Sequence, residues 1–192
     1  MSTTQEALRS LDGLALPTSG TWEIDRTHSQ VGFVARHMMV SKVRGRFSDF
    51  AGTIHIADDP TESSVEAIIN TESIDTGDPN RDAHVRSADF LDVERYPTIT
   101  FKAEGPVQTS GPRFTITGYL TVKGVTRPIT LEGEYTGFMS DARMGTRLGL
   151  SAWGEINRED FGVNFNAVLE TGGVVVGKTI RLEIEAEAVL KS

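Results

Sequence analysis

Residues 43–56 read Val-Arg-Gly-Arg-Phe-Ser-Asp-Phe-Ala-Gly-Thr-Ile-His-Ile, and their phase decides between two architectures. Val43 and Phe47 are apolar at odd positions, whereas Phe50, Ile54 and Ile56 are apolar at even ones. Successive residues of a pleated strand point to opposite faces, so one face cannot hold both sets. The phase must slip near Ser48-Asp49, and a β-bulge is the smallest device that inserts one residue. Long strands that bend through bulges and through glycines such as Gly45 and Gly52 curl a sheet into a barrel, not a flat sandwich.

The surroundings keep the same period. Phe114, Ile116, Leu120 and Val122 alternate with Thr115, Thr117, Tyr119 and Thr121, and Ile180, Leu182, Ile184, Ala186 and Ala188 alternate with Arg181, Glu183, Glu185 and Glu187. Both are strands with one apolar and one wet face. Further strand-like runs cover 22–24, 30–37, 65–71, 98–104, 129–138 and 147–157, separated by turn signals such as Asp58-Asp59-Pro60, Ser110-Gly111-Pro112 and Lys123-Gly124. The class is all-β and antiparallel. One helical insertion interrupts it at about 79–91: Asp78 is a good N-cap, and Pro79 sits at the first helical position, where its missing N–H costs nothing. Residues 1–20 are set apart as an N-terminal helical extension, from the Thr3/Glu6 capping-box spacing and Leu8, Leu11 and Leu14 at three-residue intervals. That extension is either a loosely packed terminus or an apolar flap over a cavity mouth or a second subunit. Residues 21–192 form the one barrel domain.

Composition removes whole classes of function. The 192 residues carry 19 Lys and Arg against 27 Asp and Glu, a net charge of −8, which disfavours nucleic acid and anionic surfaces. Cysteine is absent, and with it thiol catalysis, disulfides and thiolate metal sites. No apolar run is long enough for a membrane-spanning helix. Met1 to Gly20 lack the basic and apolar regions of a signal peptide, so the expected compartment is the cytoplasm. No Gly-x-Ser-x-Gly elbow or phosphate-cradling loop occurs. The four histidines, His28, His37, His55 and His84, lack the tight spacing of a metal site, and the expectation is no metal, no cofactor and no catalytic residue. The cluster Arg36, His37, Lys42, Arg44 and Arg46 stands out in an acidic chain. It is either a solvated strand face or, joined by Arg81 and Arg86, a basic mouth for an amphiphile with an anionic head.

An ordered set of motifs resembles the YceI-like family of polyisoprenoid-binding, lipocalin-like barrel proteins. The set comprises Trp22-Glu-Ile-Asp25 with Thr27-His28-Ser29, Phe33 to Val43, and Gly45-Arg-Phe-Ser-Asp-Phe50 with Gly52. It continues through Ser73-Ile74, Arg81-Asp82-Ala-His84, Asp89-Phe90-Leu91, Tyr96-Pro97 with Thr100-Phe101, Gly118 to Pro128, and Ile156 to Gly162. The resemblance implies an eight-stranded antiparallel barrel, a lumen holding a long lipid such as a polyprenyl chain, and a homodimer. Many members are exported, whereas this chain shows no leader. The resulting expectation is a protein that sequesters or carries an isoprenoid-type lipid (polyprenyl phosphate, quinone or similar) without chemistry. The expected lumen residues are Phe33, Phe47, Phe101, Phe114, Ile116, Leu120, Phe161 and Phe165, and the expected mouth residues are His28, His37, Arg81, Asp82 and His84. The alternatives are a hydrolase that uses the His/Asp group on a lipid ester or pyrophosphate, and a stress-related interaction module whose lumen is packed solid.

Overall fold

The computed structural model describes residues 9–11 and 14–191. After a short hairpin of β1 (Arg9–Leu11) and β2 (Leu14–Leu16), the strands are β3 (Gly20–Ile24), β4 (Gln30–His37), β5 (Ser41–Phe47), β6 (Phe50–Ile56), β7 (Ser64–Asn70) and β8 (Ile74–Asp75). Helix α1 (Pro79–Arg86) follows, then β9 (Thr98–Glu104), β10 (Gln108–Ser110), β11 (Arg113–Val122), β12 (Val125–Asp141), β13 (Gly145–Asn157) and β14 (Val176–Leu190). All pairings are antiparallel. The wall runs β3–β6–β7–β9–β11–β12–β13–β14 and closes where β14 meets β3, an eight-stranded barrel extended at one end by β4, β5 and β8. Alternation produces this directly: along β11, Ile116, Gly118, Leu120 and Val122 are buried while Thr117 and Tyr119 face water.

The phase slip near Ser48-Asp49 is present, as an opening of the ladder over two residues between β5 and β6, where a bulge of one was expected. The Ser48 amide donates to the Ser73 carbonyl, the Asp49 amide to Ser73 Oγ at 3.0 Å, and the Asn70 amide to the Asp49 carbonyl. The neighbouring strand breaks too, at a 3-10 turn over Arg26–His28 between β3 and β4, and Arg26 pairs with Asp49 across the two breaks. Asp25 caps that turn. Its carboxylate accepts from the Thr27 amide (2.9 Å), His28 Nδ1 (2.9 Å) and Arg147 Nη1 (2.9 Å), and Arg147 also pairs with Glu187. The Arg147 guanidinium above all, then His28, holds the Asp25 carboxyl well below the usual carboxylate range.

The insertion lies over one end of the barrel. Asp78 accepts the Asn80 and Arg81 amides at 2.9 Å each, and Pro79 begins the helix. Asp82 is buried and accepts from the Thr76 amide (2.8 Å) and the Thr76 hydroxyl (2.6 Å). Arg86 donates to the Glu72 and Ile74 carbonyls. Beneath the insertion Phe90 packs with Ile99, Leu120, Val122, Phe161 and Val163, with Val85 and Leu91 at the margin. At the opposite end the fully buried Trp22 packs with Leu148 and Ala188 and donates from Nε1 to the Thr18 carbonyl at 3.1 Å.

The expected N-terminal helix is corrected where the chain is described. Residues 9–11 and 14–16 pair antiparallel, Leu11 opposite Leu14, and Leu8 lies outside the described residues. The Asp12-Gly13 dipeptide between them is a hairpin signal that outweighs the leucine spacing.

Two outcomes follow for stability. Asp82→Ala strands two buried donors and should cost about 2 kcal/mol, lowering the melting temperature by about 4–8 °C in calorimetry. Arg147→Met should lower the urea midpoint at pH 7. Because the folded-state pKa of Asp25 is depressed, the stabilisation is complete above the unfolded carboxyl value of about 4 and is lost as pH falls below it. The gap between wild type and variant should therefore narrow in titrations carried below that pH.

Candidate functional site

The barrel encloses a cavity of about 780 Å³ that runs from the helix-bearing end to the opposite loops. This size lies within the range of small-molecule sites, so the lumen is not packed solid. All eight phenylalanine, isoleucine and leucine side chains expected in the lumen (Phe33, Phe47, Phe101, Phe114, Ile116, Leu120, Phe161 and Phe165) stand on its wall. Glycines make room for the rings. Gly45 pairs with Phe33 and Gly133 with Phe114, and a Cβ on either glycine would stand 2.3 Å or 2.2 Å from the ring opposite. The far end of each phenyl therefore occupies the space that a side chain at the glycine would fill.

Polar side chains gather at the ends. At the helix end Arg36, His37, Asn80, Arg81 and His84 reach the cavity. Arg81 donates from Nε to the Thr76 hydroxyl and from Nη2 to the Thr76 carbonyl, both at 2.8 Å. His84 bonds Asp89 through Nε2 at 2.7 Å and sets its ring edge-on to Phe90 and Phe165, with centroids at 5.1 and 4.9 Å. The same rim exposes Met39, Val40 and Val168. Three of the five expected mouth residues, His37, Arg81 and His84, thus meet at one opening. The other two do not. His28 belongs to the Asp25 cluster on the wall, because residues 26–28 leave the strand for a turn, and it does not line the cavity. Asp82 points to Thr76 and is consumed in holding the insertion. In the basic cluster, Lys42 stands opposite Arg36 in the ladder, while Arg44 pairs with Glu183 and Arg46 with Asp75 on the outer face.

Two further cavity residues, Arg158 within the Ile156 to Gly162 motif and Tyr135, were not among the expected site residues. Arg158 is only 4% exposed, and it donates to the carbonyls of Val163, Phe165, Val176 and Gly177. Burial lowers its pKa. Tyr135 continues the inward phase of Ile129, Leu131 and Gly133 along β12, which was the available sequence signal. Its hydroxyl is buried on the cavity wall without a hydrogen-bond partner among the described residues, and burial pushes it to about 12. Among the described residues, a triad of metal-type ligands occurs at Asp25, His28 and Glu187. The Arg147 cation already sits on both carboxylates. No described helix is long and apolar enough to cross a membrane.

With this geometry established, comparison with known proteins is direct. A UPF0312 protein of Staphylococcus aureus strain N315 is 37% identical over 166 residues, covering 85% of this chain and 94% of that protein. The crystal structure of a Campylobacter jejuni YceI protein superposes with a TM-score of 0.69 at 28% identity, over 82% of this chain and 90% of that one. A polyisoprenoid binding domain from Saccharophagus degradans shares the fold at a TM-score of 0.66 and 14% identity, over 91% of this chain and all of that one (100%). The YceI-like domain matches residues 22–188, the span that holds the barrel, the insertion and the cavity, and the chain belongs to the YceI-like family.

Proposed function

We propose that this protein binds a long apolar lipid of the isoprenoid type inside the barrel, and sequesters or carries it without chemistry. The observation that carries this reading is the open apolar lumen of about 780 Å³. Its length suits an extended chain. The 13 residues of β13 span ~43 Å at 3.3 Å per residue, or ~33 Å along the axis of a barrel whose strands tilt by 40°. Burial of apolar surface at about 25 cal/mol per Å² supplies affinity along the whole tail. The exposed apolar side chains at the helix-end rim favour contact with an apolar phase from which such a lipid is drawn. The solved polyisoprenoid binding domain of the same fold supports the ligand class. A homodimer is part of the same proposal; it rests on the family resemblance and on Ile68 and Tyr119, which stay exposed on the outer wall.

Hydrolysis is the second reading, and what favours it is the His84–Asp89 pair at the opening. Incubation with a polyprenyl pyrophosphate should release no phosphate; release that disappears in His84→Gln would establish the enzyme instead.

Organic extraction of the natively purified protein, followed by mass spectrometry, should recover one long isoprenoid lipid near stoichiometry. Leu120→Glu places a charge on the buried wall, where desolvation is costly, and should abolish retention in a variant whose circular dichroism remains that of a β-barrel. An empty wild-type barrel, or full retention by the folded variant, would remove the lumen as the site.

A further inference from the structure

Single apolar side chains at a protein surface are ordinary, but a consecutive exposed run is not. The turn between β4 and β5 carries one. Met38, Met39 and Val40 are all exposed, Met39 at 63% and Val40 at 84%. The backbone gives no reason for methionine there. Met38 and Met39 have φ of 50° and 62°, and the Val40 amide donates to the His37 carbonyl across them. Positive φ at both central residues of a hairpin turn favours Asn and Gly. A second hairpin lies alongside. Val168 bridges Val174 and is 83% exposed, the Met38 amide donates to the Val175 carbonyl at 2.8 Å, and a Cβ on Gly173 would stand 3.1 Å from Met39 Sδ. Both hairpins border the cavity at the helix end, since His37 and Val175 line it and Phe165 of the second segment packs on His84. Cations flank the tip. Arg36 and Lys42, both exposed, face one another in the ladder pair next to the turn. Like charges directly opposite repel. Neither forms an ion pair among the described residues, whereas Arg44 is matched by Glu183 and Arg46 by Asp75. The second hairpin carries one carboxylate, Glu170.

We propose that these two hairpins form a membrane-docking tip: Met38, Met39, Val40 and Val168 enter the boundary between headgroups and acyl chains of a bilayer that carries anionic lipid, with Arg36 and Lys42 among the headgroups. The charge pattern selects the occupant. An apolar knob flanked by unpaired cations matches a surface that offers negative headgroups over an apolar interior. The chain as a whole, at −8, is disfavoured at such a surface, and the tip is the local exception. Repulsion of the acidic remainder turns this end, and no other, toward the bilayer. A bilayer is chosen over a protein partner because the tip borders the cavity opening, and that choice rests on the lumen being the lipid site. Docking there sets the opening against the phase in which a long apolar lipid is dissolved.

The test is co-sedimentation of the purified protein with vesicles of phosphatidylcholine and phosphatidylglycerol, and with vesicles of phosphatidylcholine alone. Wild type should bind the anionic vesicles and bind the neutral ones much less. Met39→Asn combined with Val40→Asn should weaken binding about tenfold, through the apolar area lost at the boundary. That variant should melt at or above the wild-type temperature, because Asn suits the positive φ at position 39. Arg36→Gln combined with Lys42→Gln should weaken binding about fivefold per charge removed, on anionic vesicles only. A wild type that stays in the supernatant would overturn the docking tip, whatever the lumen holds. Undiminished binding by the folded Asn variant would overturn it as well. A change of oligomeric state in that variant on gel filtration without vesicles would overturn it too, and assign the hairpins to a contact between copies. Binding that depends on the tip, by a protein whose organic extract contains no lipid, would support the tip and remove the lumen reading alone.

Discussion

Everything inside this barrel depends on the paired breaks at residues 25–29 and 48–49. The strands on either side of each break carry their apolar residues in opposite phase, and continuous pleating would turn one half of each wall outward. The breaks lie side by side, and charged groups lock them to one another and to the barrel. Arg26 pairs with Asp49 across them, and Asp25 ties the first to Arg147 of β13, whose second carboxylate is Glu187 of β14. Ser29 completes the lock: its hydroxyl accepts the Glu187 amide and donates to the Glu187 carbonyl. These polar contacts sit on the wall at the seam where β14 meets both β3 and β4. They therefore hold the closure of the barrel while leaving the lumen apolar.

A cavity forfeits packing, so the core has to be made elsewhere. Here the tightly packed apolar groups collect around the ends. Phe90, Phe161 and Val163 lie under the insertion, and Trp22, Leu148 and Ala188 lie near the chain termini. Between them the glycine–phenylalanine pairs replace interdigitated side chains with rings laid against backbone. The wall is then smooth and wide enough to hold a ligand. The barrel does without disulfides because these two packed ends and the continuous ladder stabilise it.

Much of this was legible in the residues. Period-two alternation pointed to Phe33, Phe47, Phe101, Phe114, Ile116 and Leu120, which stand on the cavity wall together with Phe161 and Phe165 from the segment after β13, and the clash of phase in 43–56 located the break. The Asp78-Pro79 start located the helix. The failures share a physical cause: they lie where the chain leaves regular structure. His28 was expected at the mouth because it is polar and belongs to the matched motifs, yet residues 26–28 form a turn capped by Asp25. Asp82 looked like a functional carboxylate but is spent on Thr76, a partner six residues away whose position depends on the insertion's fold. Tyr135 had the right phase. What distinguishes it, a hydroxyl left alone and a register shift beside it, exists only once β13 is paired.

The two ends of the lumen are built from different physics. At the helix end a guanidinium, Arg158, is surrounded by four carbonyls from residues 163–177, and Lys123 donates to the Ala88 carbonyl of the insertion. Buried donors bound to backbone acceptors hold loops rigidly, since any movement would leave a charged group unsatisfied in a poorly solvating place. At the other end the cavity is bordered by Leu16, the last residue of β2, and by Pro17, Pro60 and Pro112. An elongated apolar chain would gain most from contact with the rigid, aromatic end, where fixed surfaces lose no side-chain entropy on contact. The other terminus of such a chain would then lie toward the opposite end.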